Sequence, residues 1–175
     1  MQKKRRQHYV WQHYLKAWTT KDKLWCRLGD KVFSVGTKNI AVARDYYRLK
    51  EMTTDDLAFV KAVAIDQLPP IARVACEGWI APFTELFHYM EVFEQAGLQD
   101  EALAAKLDTS INNLEEDLHA KAEGLATEHL SCLRAADIEF VYDGESFAEF
   151  CFFLAMQYMR TPTRKQAFKT NLNDA

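Results

Sequence analysis

The sequence predicts an α+β fold, a mostly helical single domain over residues 1–175 with an N-terminal β-hairpin or small sheet and a projecting helical hairpin. Three observations predict it. Lys23–Leu28 and Lys31–Val35 are short β-prone runs around a Gly29-Asp30 pair, and glycine at the first turn position suits a type II′ hairpin. Leu103, Leu107, Ile111, Leu114, Leu118, Ala122 and Leu125 then recur in steps of four and three with acids opposite, the seam of one long helix over 100–134. Finally, Ser146 with Glu149 has the spacing of a capping box, opening a helix that is apolar on nearly every face and therefore expected to be buried.

The remaining elements follow in order. Residues 1–50 form a basic region that contains the hairpin, 51–164 a helical region, and 165–175 a tail that frays from Thr170. Tyr9, Val10, Tyr14, Leu15 and Trp18 predict a short helix over 10–18, and Lys38–Leu49 a third extended element. Thr54 or Asp55 caps a helix that Pro69-Pro70 stops, and helix resumes over 71–79 and 82–95 with Gly97 as its end. The 100–134 helix would be about 50 Å long at 1.5 Å per residue, so it overhangs, bends near Gly124 or finds a second chain, and a projecting antiparallel hairpin covered by Leu86, Phe87, Met90 and Phe93 is expected. Ile138–Tyr142 reads as a brief strand. Thr161 and Pro162 suit the N-cap and first residue of a last helix.

Composition narrows the function classes. The longest uninterrupted apolar run, Cys151–Met156, is far short of the roughly 20 residues a membrane span needs, so no membrane partner is expected. No apolar signal segment follows Lys3–Arg6, and the four cysteines form no CxxC pair, which points to reduced thiols and a cytoplasmic location. The formal net charge of −3 conceals a division: 13 Lys/Arg against 3 Asp/Glu in residues 1–50, 5 against 21 in 51–159, and 4 against 1 in 160–175. Basic chain ends on an acidic body fit either a basic face for an anionic partner or internal charge pairing.

Chemistry is sparse. The histidines are dispersed, and His8 and His13, five apart, do not align on a helix face, so no metal site is expected. Six glycines with no Gly-rich strand-to-helix turn give no nucleotide loop and no cofactor. Cys151, in the expected core, makes a poor nucleophile. Phosphate recognition remains: Arg5, Arg6, Arg44, Arg48, Arg160 and Arg164 offer forked donors, Gln157 and Arg160 stand out in an apolar helix, and His8 suits a general acid or base. Nucleic acid is the leading partner, with a nuclease-like role for His8 if there is a reaction. The competing reading is a non-catalytic interaction subunit, docking a protein partner or a second copy through Leu107, Ile111, Leu114 and Leu118.

Three ordered segments carry a family resemblance: Gln7-His8-Tyr9-Val10 with Tyr14-Leu15, then Asn39-Ile40-Ala41 with Asp45-Tyr46-Tyr47, then Gln157 with Arg160-Thr161-Pro162. Together they resemble a bacterial family catalogued as domain of unknown function 4238. Trp11 stands where that family usually has proline, so the path after Val10 is expected to differ. The resemblance also implies a C-terminal Ser-Asp-Asn-Pro stretch that this sequence lacks, as in a truncated form, half of a split system or a non-catalytic relative. It supplies no activity; it implies a part in anti-phage defence. The three segments, rich in polar groups among aromatics, are expected to be spatial neighbours.

Overall fold

The computed structural model describes residues 2–97 and 99–173, with side chains through Ala167. It resolves into two compact units: residues 1–4 with 47–115, and residues 5–46 with 116–175. Elements run β1 (Arg6–His8), α1 (Gln12–Lys16), β2 (Lys23–Leu28), β3 (Lys31–Gly36), β4 (Val42–Arg44), α2 (Thr54–Val60), α3 (Pro70–Gln95), α4 (Glu101–Arg134), α5 (Gly144–Met159) and α6 (Pro162–Asn173). The α+β, mostly helical reading holds.

In the first unit, α2 begins at a capping box one residue earlier than expected. Thr53 is the N-cap, its hydroxyl accepting from the Asp56 N–H while the Asp56 carboxylate accepts from the Thr53 N–H. A wide π-type turn, Lys61–Ile65, carries the chain on to Pro69. Pro70 then opens α3 as its first residue, where no N–H is needed. The helix passes through Pro82 unbroken, and Gly97 follows it at φ +65°. Asp100 caps α4 by accepting from the N–H groups of Ala102 and Leu103. Met90 and Phe93 of α3 face Leu103 and Leu107 of α4 across a narrow cleft, the cover expected of an antiparallel hairpin. Asn112 and Asn113, fully buried, tie down the chain start: their amides donate to the carbonyls of Lys4 and Gln2, and Asn113 Oδ1 accepts from the Lys4 N–H. Asp108 adds ion pairs to Lys3 and Arg48.

The second unit holds both sheets. β2 and β3 pair as predicted, Leu28 opposite Lys31, and Gly29 at φ +59° is the only turn residue with positive φ, as type II′ requires. The third extended element shrinks to β4, which pairs antiparallel with β1 rather than extending the hairpin. The helix expected over 10–18 is only α1, because Trp11 takes an extended N-cap conformation. Gly124 does not break α4. Ile138–Tyr142 is not a strand: Glu139–Tyr142 is a 3-10 turn. The α5 cap is Asp143, whose carboxylate accepts from the Ser146 N–H at 2.9 Å, and Glu149 instead pairs with His129 at 3.3 Å. The core gathers Ala126, Leu130 and Phe153 with Trp11 and Phe150.

Two expectations are overturned by α5 and α6. Helix α5 buries one face only, since Phe147, Phe152, Leu154, Tyr158 and Met159 are about half exposed and Cys151 is exposed. Its covered side meets α4, Trp11 and Phe140. The tail from 165 is helical through Asn173, while its last residues, Asp174 and Ala175, lie outside the described residues.

Candidate functional site

The three motif segments do converge, within the second unit. Strand β1 pairs with β4 in the register Arg6 to Arg44, Gln7 to Ala43 and His8 to Val42. Alternation then places Arg6, His8, Val42 and Arg44 on one face and the fully buried Gln7 on the other. From the C-terminal segment, Gln157 Oε1 accepts from the Trp11 N–H at 3.2 Å. The Tyr46 hydroxyl donates to the Arg160 carbonyl at 2.8 Å.

β4 is short because both its flanks leave the extended region. Ala41 (φ +53°) and Asp45 (φ +51°) are left-handed, a conformation that costs an L-residue roughly 1–2 kcal/mol. Backbone bonds hold both flanks against the other strand: Tyr9 N–H to Ala41 O and Asp45 N–H to Arg5 O, each 2.9 Å. Strain held this way fixes the register, and the register sets two arginines directly opposite each other. Like charges so placed repel.

The arginines converge on a cleft of about 440 Å³ lined by Arg5, Arg6, Val42, Ala43 and Arg44. Asp45 is the local counter-charge, 2.9 Å from Arg5 and 3.6 Å from Arg44. Arg6 is steered by the 37–39 turn, its Nη2 donating to Lys38 O at 2.8 Å and Asn39 Oδ1 at 3.0 Å. Three guanidiniums and one carboxylate therefore meet at the cleft.

His8 faces the same turn, with Nε2 3.3 Å from Thr37 O. A carbonyl only accepts, so the ring donates when Nε2 carries the proton, and the Lys38 carbonyl is a second backbone partner of the ring. Burial pushes the imidazole below its ordinary 6.5; the Thr37 bond opposes this, and the charges of Arg6 and Arg160 lower it further. His8 is therefore neutral at pH 7 and carries a basic nitrogen.

Gln157 and Arg160 make their contacts inside the fold. Arg160 is 3% exposed, and its guanidinium donates to Glu123 Oε1 at 2.6 Å. Burial pushes the Glu123 carboxyl up even against that partner. The buried carboxylate takes up one side of the guanidinium, while its enclosed Nε has no hydrogen-bond partner. Gln157 turns its oxygen to Trp11, and its Nε2 is enclosed without a partner, an arrangement that costs about 1–3 kcal/mol. Arg164 sets its guanidinium 4.1 Å from the Tyr158 ring centre. Of the expected phosphate contacts, Arg6 and Arg44 come together, and Arg5 joins them; its place depends on the Asp45 turn, which sequence pattern does not encode.

The docking seam is also revised. Ile111 is 2% exposed and already covered, while Leu107, Leu114 and Leu118 are partly covered. Among the described residues no three His, Cys, Asp or Glu side chains gather as metal ligands, and no helix is long and apolar enough to cross a membrane.

The model of a family described as protein of unknown function (DUF4238) matches residues 6–174, nearly the whole chain. The chain belongs to that family. No curated protein and no solved structure matches it. The structure explains the DUF4238 motif residues: Asn39 holds Arg6, Ala41 and Asp45 bracket β4, and Tyr46 fixes the end of α5. Trp11 stands in place of the usual proline. Its φ of −56° is one that proline adopts. What changes is chemistry, since Trp11 supplies the N–H that Gln157 accepts and a ring 5.8 Å from Phe153.

Proposed function

We propose that the β1–β4 ribbon recognises a phosphate-bearing ligand, and that this ligand is the backbone of a nucleic acid. The observation that carries the reading is the Arg6–Arg44 cross-strand pair, beside Arg5, with Asp45 as local counter-charge. A polyanion relieves that repulsion and accepts bidentate bonds from guanidinium forks. His8, on the same strand face, adds a neutral imidazole with a basic nitrogen, the group a nuclease-like step would use to take a proton from the attacking hydroxyl. Binding of a labelled oligonucleotide is measured across a salt series for the native chain, Arg6→Ala, Arg44→Ala and the double variant. Each arginine–phosphate pair removed should flatten the log–log salt slope by about 0.7–0.9, so the double variant should flatten it by roughly 1.5. Unchanged slopes, or no binding at low salt, overturn the reading.

A second reading, the interaction subunit, rests on α3. None of its 26 residues is buried, and Ile71 is 85% and Val74 69% exposed. Such a face favours a protein partner or a second copy. If it docks one, Val74→Glu should abolish association in sedimentation without lowering stability.

A further inference from the structure

The second unit carries another cleft, about 220 Å³, walled by Val10, Tyr14, Phe153, Leu154, Gln157 and Tyr158. It is small for a drug-sized ligand and has room for one planar ring. Tyr14 and Tyr158 are 36% and 53% exposed, so their rings are open to an incoming partner. Arg164 already covers one face of Tyr158, at 4.1 Å, and adds cationic character to the stack. Gln157 contributes a polar edge. The Trp11 N–H fixes its amide with the oxygen inward, which leaves Nε2 as a donor with no acceptor in the protein.

We infer that this cleft takes an unstacked base of a single-stranded nucleic acid whose phosphates lie on the arginine ribbon. The inference rests on the function proposed above and deepens it. Stacking rings, a guanidinium and one amide donor make up the chemistry with which proteins grip single-stranded bases. A base edge presents the carbonyl or ring-nitrogen acceptor that Nε2 lacks. Chain geometry agrees: Val10 is four residues beyond Arg6, at most about 14 Å along an extended strand, which is a few nucleotides of single strand. A base paired in a duplex cannot enter a cleft this narrow, so single strands are preferred.

The test compares one oligonucleotide as a single strand (DNA and RNA), the same strand with abasic sugars, and the matched duplex. Tyr158→Ala should weaken the single strand about 5- to 150-fold while leaving the salt slope unchanged, because stacking releases no counterions. Leu154→Trp, which fills the cleft without removing a wall, should do the same, and Tyr158→Phe should bind like the native chain. Abasic strands should bind the native chain about as weakly as normal strands bind Tyr158→Ala. Equal binding of native chain, Tyr158→Ala and Leu154→Trp, with salt slopes still flattened by Arg6→Ala, overturns the base site and leaves the phosphate reading standing. Absence of binding to any strand at low salt overturns both. A preference for DNA or RNA identifies which of the two supplies the base.

Discussion

The sharpest test of the revised site is Arg160→Met, which keeps the aliphatic stem and removes the charge. As a phosphate ligand, Arg160 would leave stability intact and weaken binding. As the buried partner of Glu123, it should do the reverse. The two side chains are 2% and 16% exposed and 2.6 Å apart, so removing one strands the other. Losing one member of a buried pair typically costs about 3–5 kcal/mol. A limit comes from protonation: holding a proton at pH 7 on a carboxyl whose ordinary value is 4.5 costs about 3.4 kcal/mol at 1.36 per pH unit, so the charge term should not exceed that. At 2–4 °C per kcal/mol for a chain this size, Tm should fall by about 6–14 °C. The sign with pH follows. Burial already raises Glu123 in the folded state, so the folded protein holds that proton more tightly than the unfolded chain. The associated stability is present below 4.5 and is lost as pH rises through the folded value. Without Arg160 that value climbs further, and the deficit of Arg160→Met should shrink as pH falls from 7 towards 5. Adding Glu123→Leu should recover most of the loss. Thermal and urea unfolding read all three variants. A stable Arg160→Met that binds nucleic acid poorly would refute the structural role.

Three further outcomes are expected. The His8 imidazole, followed by NMR, should titrate below 6.5 in the free protein and shift upward when an anion occupies the ribbon; its stabilising contribution is lost as pH falls through 6.5 and below, and a free midpoint at or above 6.5 contradicts the burial argument. Trp11→Pro should keep the backbone path but lose the bond to Gln157 and the ring against Phe153, about 2–5 kcal/mol by denaturant unfolding; a neutral result would show that neither interaction matters. Ile111→Ala should cost about 2–5 kcal/mol in unfolding and leave the sedimentation coefficient unchanged, because the side chain is already covered; altered association with unchanged stability would restore it to a docking seam.

What was legible in the sequence was local. The β2–β3 hairpin is specified by adjacent residues, Gly29-Asp30 supplying the turn and its flanks the alternation. The α4 seam repeats often enough to overrule Gly124, whose cost of about 1 kcal/mol is small beside a row of covered leucines. Caps were legible as chemistry but not as position. Asp143 and Ser146 both offer an oxygen, and Thr53, Thr54 and Asp55 compete at α2, so the choice falls to whichever carboxylate or hydroxyl meets the third N–H. Apolar density misled at α5. Hydrophobic residues all round show what could be buried, and a chain with little left to cover them leaves half of them in water.

The functional residues were read least well, for a physical reason. Gln157 and Arg160 attracted notice because they are polar residues in an apolar run. Folding makes such groups costly unless they are satisfied, and each finds one partner, the Trp11 N–H and the Glu123 carboxylate, while Gln157 Nε2 and Arg160 Nε find none. Arg5, Arg6 and Arg44 stand out in the sequence only as forked donors within a basic stretch, with nothing to say which of them meet. Only the β1–β4 register, held by strained residues at both ends of β4, sets two of them opposite each other. Among the motif residues, therefore, the conspicuous ones make their contacts inside the fold, and the arginines of the β1–β4 ribbon line the cleft beside them. An anion site depends on uncompensated charge, and compensation is a property of pairing that a linear pattern does not contain.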